Sequence, residues 1–263
     1  MSLKILLSGA CGHMGRAVAD AAKAKNAQAA DGGKLFDIVC GVDPFGAKAE
    51  IPAGFPVYAD FNDVPSDAAI DVIIDFSHFS MTRALLEFAQ ERGLPLVICT
   101  TAITKEDIAL AEEVSKSVPV FRSANMSVGI ALLKKLVRES EAFLGDDFDV
   151  EIVEKHHNRK LDAPSGTALA LADAVAGARD GGFDYVFDRS ARREKRGRRE
   201  LGISAVRGGN IVGDHSVMFI GGNEIIEISH SALSRSVFAD GSLRAAEFIA
   251  DKKSGLFSMD DLV

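Results

Sequence analysis

Residues 4–15 read Lys4-Ile5-Leu6-Leu7-Ser8-Gly9-Ala10-Cys11-Gly12-His13-Met14-Gly15. A short apolar strand therefore runs directly into a glycine-rich loop that opens a helix. Glycines suit such a loop because the chain turns tightly and brings its backbone N–H groups close to a phosphate at the positive end of the helix. The spacing G-x-x-G-x-x-G matches the dinucleotide fingerprint less well than G-x-G-x-x-G, so a purely structural turn is the alternative.

The first half of the chain alternates short apolar runs with amphipathic stretches. Strands are predicted at residues 4–8, 36–42, 71–75, 95–99 and 119–121, and helices at residues 14–25, 80–91 and 105–117. Such alternation is typical of an α/β fold with a Rossmann-like, doubly wound parallel sheet.

The pattern changes after about residue 125 and predicts a second, α+β domain with a mixed, largely antiparallel sheet. A helix is predicted at residues 128–143, and strands at 148–154, 203–206, 215–220 and 224–231. In the first of these strands apolar side chains alternate with acidic neighbours, which indicates one wet face. A tail helix at 243–250 is expected to pack back on the first domain. The predicted domains are therefore residues 1–125 with 236–263, and residues 126–235.

A carboxylate ends the second predicted strand, in Gly41-Val42-Asp43. An acidic side chain there holds the ribose hydroxyls of a dinucleotide, although here it lies farther from the glycines than the usual ~20 residues. Asp43 makes binding of NADH or NADPH the favoured interpretation. Pro44 stands where a basic side chain would serve a 2'-phosphate, so NADH is at least as acceptable as NADPH, and Lys48 is another source of that charge.

Two further segments follow predicted strands at the edge where such sheets bind ligands. Their hydroxyls and backbone amides are expected to hold the nicotinamide and its ribose, with ordinary turns as the alternative. The candidate residues are Cys99, Thr100 and Thr101 in one segment and Ser123, Ala124, Asn125 and Met126 in the other.

Composition and charge argue against several classes of protein. The 263 residues carry a net charge of -8, which argues against nucleic acid as the main partner. No apolar run approaches the roughly 20 residues of a membrane span, so a cytoplasmic protein is expected. The three cysteines have no metal-site or redox spacing, which favours reduced thiols and no metal. A basic cluster at residues 192–199 is interpreted as a solvated loop, with an anion clamp as the alternative.

A cationic run precedes a helix start in the second half. His156, His157, Arg159 and Lys160 are followed by residues 162–167, whose proline and small side chains suit a helix entry. The N–H groups of such an entry and a nearby cation favour a carboxylate ligand. Histidine is a suitable proton donor for a reduction near neutral pH. Neighbouring residues of an extended segment point to opposite sides, so the two histidines are expected to differ in role, and a solvated basic loop is the alternative.

The stretch from Glu154 to Ala168 resembles the signature of the 4-hydroxy-tetrahydrodipicolinate reductase family, also called dihydrodipicolinate reductases. The likeness covers nearly the whole chain, including the glycine loop and residues 75–77, 124–129, 206–213 and 254–257. It implies hydride transfer from NADH or NADPH to a cyclic, unsaturated dicarboxylate in the biosynthesis of lysine and diaminopimelate, and a homotetramer joined through the sheet of the second domain.

The resemblance also implies roles for individual residues. His156 would be the general acid and Lys160 a catalytic cation, while His157, Gly166 and Thr167 would hold the substrate carboxylates. The cofactor would be held by Gly9, Gly12, His13, Met14, Gly15, Asp43, Cys99, Thr100, Thr101, Ser123, Ala124, Asn125 and Met126.

Three positions depart from the family pattern, and two other functions compete. Cys99 and Ala102 stand where glycines are frequent, Met126 where an aromatic residue is frequent, and Pro44 where many relatives have an arginine. One rival is a two-domain dehydrogenase of a neutral substrate, which would not need the carboxylate site. The other is a non-catalytic NADH sensor, which would have no use for His156.

Overall fold

The computed structural model describes residues 2–29, 33–46, 54–187, 189–190 and 192–263. Lys48 lies outside these residues. They form two compact units, one of Met1–Ser127 with Ser236–Leu262 and one of Val128–Arg235 with Val263.

The helices and strands follow one another in the order expected from the apolar runs. They are β1 Leu3–Ser8, α1 His13–Ala27, β2 Phe36–Val42, β3 Val57–Tyr58, β4 Val72–Asp75, α2 Thr82–Arg92, β5 Leu96–Ile98, α3 Lys105–Val114, β6 Pro119–Arg122, α4 Val128–Leu144, β7 Asp149–His156, α5 Gly166–Ala176, β8 Asp184–Val186, β9 Glu200–Arg207, β10 Gly213–Ile220, β11 Ile225–Ala232, α6 Ser236–Ile249 and β12 Gly255–Phe257.

The first unit is built on a seven-stranded parallel sheet in the order β12-β6-β5-β4-β1-β2-β3. In β1, Ile5 lies opposite Ile38 of β2 and Val72 of β4. All three central strands are apolar because the sheet is covered on both faces. The strand order reverses beside β1, and in such sheets ligands bind outside the carboxyl ends of the strands at this point. The predicted Rossmann-like sheet is confirmed.

The tail helix belongs to the first unit, as the sequence predicts. α6 packs against α1 and against the strands β4, β5 and β6. Three short strands, β3, β8 and β12, are not predicted from the sequence. Each has two or three residues and pairs at the edge of a sheet, where too few residues are paired to leave a periodic pattern.

The second unit carries a five-stranded mixed sheet in the order β11-β10-β7-β9-β8. The mixed sheet is confirmed, but antiparallel pairing is confined to β10 with its neighbours β7 and β11. The pairs β7–β9 and β8–β9 are parallel. A parallel neighbour requires a crossover, which α5 supplies between β7 and β9, so less of this sheet is antiparallel than expected.

One face of the second sheet is packed and the other is open. Val150, Ile152, Val217 and Phe219 form a core with residues of α4 and α5. The alternate residues of β10, such as Met218, point to the opposite face and are only half-buried. Among the helices of the described residues, none combines the length and apolar character needed to cross a membrane.

Replacing Gly241 with alanine should destabilise the first unit. Alanine normally stabilises a helix interior by about 1 kcal/mol relative to glycine. In α6, however, a Cβ at Gly241 would lie 1.7 Å from the carbonyl oxygen of Met126. We therefore expect a loss of about 1–3 kcal/mol, typical of overpacking, in the free energy of unfolding measured with urea.

Gly166→Ala is the matched control, because a Cβ there meets no atom of the described residues within 4 Å. This variant should unfold at the same or a slightly higher urea concentration than the unmodified protein. A Gly241→Ala variant as stable as the unmodified chain would contradict the expected clash.

Candidate active site

The glycine loop is shaped by two close backbone approaches. Gly9 has a φ of 75°, and a Cβ there would lie 2.6 Å from the carbonyl oxygen of Phe76. A Cβ at Gly15 would lie 2.2 Å from the carbonyl oxygen of Gly9. Among the described residues, no side chain caps the start of α1 and its first turn holds no carboxylate. His13 and Met14 follow in that turn. The loop and helix start therefore suit a phosphate group.

Asp43 ties this loop to the end of β2. Its carboxylate accepts hydrogen bonds of 3.0 Å from the backbone N–H groups of Cys11, Phe45 and Gly46. Burial, followed by the proximity of Asp43, raises the pKa of Cys11 to about 11. The Cys11 thiol is therefore neutral at physiological pH and adds no negative charge beside the phosphate loop.

A buried carboxyl group lies beneath the segment that contains Cys99 and Thr100. Asp75 ends β4, accepts a hydrogen bond of 2.6 Å from the Thr100 hydroxyl, and accepts another of 3.1 Å from the Ser77 backbone. Burial raises the pKa of Asp75, although these hydrogen bonds oppose the effect. Ala102 has a φ of 59°, a left-handed conformation that glycine adopts more readily than alanine. Thr101, which lies between Thr100 and Ala102 in the sequence, is exposed on the surface.

The segment from Ser123 to Met126 follows β6 at the same edge. The Ser123 hydroxyl donates to the Asn125 carbonyl over 2.8 Å, and the Asn125 side chain accepts from the Ser127 backbone over 2.9 Å. Met126 is buried and Ala124 is exposed. Because parallel strands end at one edge of a sheet, the structure brings all the predicted cofactor residues to the carboxyl ends of β1, β2, β5 and β6.

In the second unit, His156 sits beside a fully buried carboxylate. Its Nδ1 lies 2.6 Å from an oxygen of Glu154. Two nitrogens of Arg207 donate to the two oxygens of Glu154 over 2.8 and 2.7 Å, and the backbone N–H of Ser165 donates over 3.0 Å. Burial raises the pKa of Glu154, but the hydrogen bonds from Arg207, His156 and Ser165 outweigh it and the net pKa is lowered. An ionised carboxylate only accepts hydrogen bonds, so the Nδ1 of His156 is the donor.

The start of α5 lies next to this carboxylate. Ser165 is the N-cap, and its hydroxyl accepts a hydrogen bond of 3.1 Å from the Ala168 backbone. The same hydroxyl lies 3.2 Å from the Nε2 of His215, whose ring meets that of His156 edge-on with centroids 5.2 Å apart. Gly166 and Thr167 form the first turn of the helix. The structure thus brings the predicted carboxylate-binding helix start to the predicted acid.

His157 and Lys160 lie on the loop between β7 and α5. Lys160 forms an ion pair of 2.9 Å with Asp162. The hydrogen bond from Lys160 lowers the pKa of Asp162. The His157 backbone donates to the Ile211 carbonyl over 2.8 Å. Desolvation and then the nearby cations, led by Arg159, lower the pKa of His157. His157 is therefore held neutral in a cationic environment.

Glu154 and Arg207 are the residues that sequence reasoning missed. Glu154 is in phase with Val150 and Ile152 and shows no exposure to water. The two-residue period of the strand could have indicated this contact, because it places Glu154 and His156 on the same face. Arg207 is 53 residues away from Glu154, so no spacing could reveal their pairing.

The basic cluster at residues 192–199 is partly neutralised within the second unit. Arg196 forms ion pairs with Asp149 at 2.9 Å and Glu151 at 3.1 Å, and it donates to the Val150 carbonyl. This arrangement agrees with the solvated loop and does not support an anion clamp built on Arg196. Among the described residues, there is no group of three or more histidine, cysteine or acidic side chains that could hold a metal ion.

Family models match nearly the whole chain. The model of the dihydrodipicolinate reductase N-terminus matches residues 3–126, and that of the C-terminus matches residues 129–263. This chain belongs to the dihydrodipicolinate reductase family. The resemblance seen in the sequence and the expected class of reductase are thereby confirmed.

Curated relatives of the family align over the full length. The 4-hydroxy-tetrahydrodipicolinate reductase of Caldanaerobacter subterraneus subsp. tengcongensis is 47% identical over 263 residues, covering 100% of this chain and 99% of the relative. That of Clostridium tetani is 43% identical over 260 residues, covering 99% and 96%.

Solved structures show the same fold. The dipicolinate-bound dihydrodipicolinate reductase from Paenisporosarcina sp. TG-14 matches with a TM-score of 0.79 and 21% identity over 100% of both chains. A myo-inositol dehydrogenase from Corynebacterium glutamicum matches with a TM-score of 0.60 and 19% identity, over 97% of this chain and 90% of that one. At these identities the likeness shows the fold alone.

The stability of the protein should fall in mild acid because of His215. Burial, followed by the neighbouring His156, lowers the pKa of His215 to about 4, whereas an unfolded histidine titrates near 6.5. The unfolded chain therefore binds more protons between these values, and the stabilisation present above about pH 6.5 is lost as the pH falls towards 4. His215 alone should cost about 2 kcal/mol in the free energy of unfolding between pH 7.5 and pH 5.

Urea unfolding at the two pH values measures this loss, and His215→Asn is the test variant. The variant should lose less stability than the unmodified protein on acidification, although the lowered pKa values of His157 and His230 leave part of the slope in place. Equal losses in both proteins would rule out His215 as the cause.

Proposed function

We propose that this chain reduces 4-hydroxy-tetrahydrodipicolinate to tetrahydrodipicolinate, with NADH or NADPH as hydride donor, in lysine and diaminopimelate biosynthesis. The observation that carries the proposal is the convergence of His156, its carboxylate partner Glu154 and the start of α5. A proton donor and a carboxylate-binding helix start are the two features that this reduction requires. The names of the curated relatives support the same substrate.

The first unit serves in this proposal as the dinucleotide-binding domain. The backbone of Gly9, Gly12, His13, Met14 and Gly15 would hold the pyrophosphate at the start of α1. Asp43 accepts two of its hydrogen bonds on Oδ1 and one on Oδ2, so Oδ2 retains acceptor capacity for a ribose hydroxyl. The segments that follow β5 and β6 would hold the nicotinamide and its ribose through the residues Cys99, Thr100, Thr101, Ser123, Ala124, Asn125 and Met126.

The second unit, Val128–Arg235 with Val263, serves in this proposal as the substrate domain, which the sequence predicts at residues 126–235. When bound, NADH or NADPH would supply the hydride, and His156 would supply the proton that completes the reduction. Glu154 holds the proton on Nδ1 of this ring, so the doubly protonated ring would donate from Nε2 and then remain neutral. His157, Gly166 and Thr167 would hold the substrate carboxylates. The charge of Lys160, half-buried beside Asp162, would stabilise the negative charge that builds on the substrate.

The open face of the second sheet supports assembly of a homotetramer. This face carries apolar side chains that the described residues leave accessible. They are exposed Val206 and Ile225 and half-buried Met218. We place the protein in the cytoplasm because Cys11, Cys40 and Cys99 are free thiols, which are typical of a reducing compartment, and because its relatives are biosynthetic enzymes.

The direct test follows the absorbance of NADH and of NADPH with the freshly formed condensation product of pyruvate and aspartate semialdehyde. Oxidation of either cofactor, dependent on this substrate, is the expected result. Cofactor binding without oxidation would favour a sensor instead. Reduction of NAD+ or NADP+ by a neutral polyol, with no oxidation of NADH or NADPH by the condensation product, would favour the other rival, a dehydrogenase of neutral substrates.

Removing the proposed acid or its neighbouring cation should abolish most of the activity. His156→Ala or Lys160→Ala should lower kcat by at least about 10²-fold while the Kd for the cofactor is unchanged, as expected when an acid or a transition-state contact is lost. Lys253→Ala, which removes an exposed lysine of the tail, is the control with normal turnover. Near-normal turnover of the first two variants would remove both residues from the catalytic machinery.

Cofactor choice should respond to Pro44, which is exposed directly after Asp43. Pro44→Arg adds a guanidinium where a 2'-phosphate would lie, so the ratio of kcat/KM for NADPH to that for NADH should rise. Steady-state kinetics with each cofactor measure the ratio. An unchanged ratio would show that other residues decide the preference.

A further inference from the structure

Glu154 joins parts of the second unit that are far apart in sequence. One oxygen faces the Nδ1 of His156, and the other accepts from the backbone of Ser165 at the start of α5. Arg207 donates to both oxygens and also to the Asp162 carbonyl over 2.6 Å. One carboxylate therefore touches the proposed acid, the N-cap of the proposed carboxylate site and the loop that carries Lys160.

A purely structural ion pair would not need the histidine. The same unit contains such a pair, in which buried Glu141 accepts from the Nε of Arg179 over 2.5 Å. This fold therefore holds a buried glutamate with no histidine beside it, although one Glu141 oxygen has no hydrogen-bond partner among the described residues and burial raises the pKa of Glu141. At Glu154, Arg207 already donates to both carboxylate oxygens. The carboxylate nevertheless also accepts a hydrogen bond of 2.6 Å from the Nδ1 of His156. This additional contact dictates which ring nitrogen carries a proton towards the protein and which remains for the substrate.

We propose that Glu154 is a positioning residue for the reduction: it holds the Nδ1 proton of His156, so that the doubly protonated ring gives its other proton from Nε2, and it fixes the ring relative to the start of α5. The inference rests on the proposed role of His156 as the acid. Arg207 from β9 and His215 from β10 are the other titratable groups packed beside the ring, and Lys160 and Asp162 lie on the adjoining loop. Among these charged groups of the described residues, Glu154 alone is hydrogen-bonded to the ring.

The test compares two charge-removing variants of equal size. Glu154→Gln presents an amide to the ring and should lower kcat by at least about 10-fold, as expected when the partner that orients a catalytic histidine is replaced by an amide. The Kd for the cofactor, measured by fluorescence titration, should not change. Glu141→Gln, which neutralises another buried carboxylate of this unit, is the matched control. It should lower stability but keep kcat.

A double variant separates a positioning role of Glu154 from a general loss of structure, because the effects of the two substitutions on kcat should not add. If Glu154 acts through His156, then adding Glu154→Gln to a His156→Asn variant should not lower kcat further. A further loss equal to that of the single variant would overturn the proposal. An active His156→Asn variant would instead refute the acid role itself, so failure of the proposed function is distinguishable from failure of this inference.

A measurement on the unmodified protein covers the case in which Glu154→Gln fails to fold. Nitrogen-15 NMR of histidine-labelled protein, assigned by comparison with His156→Asn, reports which ring nitrogen of His156 is protonated. We expect a protonated Nδ1 with a strongly downfield proton resonance from its short hydrogen bond. An unprotonated Nδ1 would overturn the proposal, and so would unchanged kcat in a folded Glu154→Gln variant.

Discussion

A carboxylate that has no contact with water must be compensated by the protein, and this constraint organises the second unit around Glu154. The compensation comes from Arg207, which lies opposite His156 in the parallel pairing of β7 with β9. A shift of that pairing by one residue would turn the guanidinium to the other face of the sheet. The Ser165 N–H comes from the start of α5. The register of two strands and the position of a helix are thus tied to one charge.

The first unit satisfies a different constraint, which is the close approach of backbone to backbone at the edge of a parallel sheet. Gly9 and Gly15 have no room for a side chain, so the loop after β1 folds tightly against the start of α1. Asp43 then ties this loop to the end of β2. The segments that follow β1, β2, β5 and β6 meet at this edge because every strand of the sheet runs in the same direction.

Local patterns explain how far the sequence could predict this structure. Apolar runs such as Val72-Ile73-Ile74 are local signals, and they identified the long strands and the order of these strands along the chain. The parallel pairing of β8 with β9 depends on a crossover whose path no local pattern records. The same holds within the candidate site. The helix start at Ser165 is visible in the sequence, but the pairing of Glu154 with Arg207 arises only when the sheet forms.

Two adjacent histidines acquire different chemical properties from this arrangement. At the end of β7 the chain leaves the strand, so His156 turns towards the carboxylate while His157 turns towards cations. Desolvation and cations such as Arg159 lower the pKa of His157, which keeps it a neutral ring suited to hydrogen bonding with an anion. The Nδ1 of His156 instead meets an acceptor that carries a negative charge. Opposite electrostatic surroundings, imposed on neighbouring residues of one type, are a general means of assigning separate acid and binding roles.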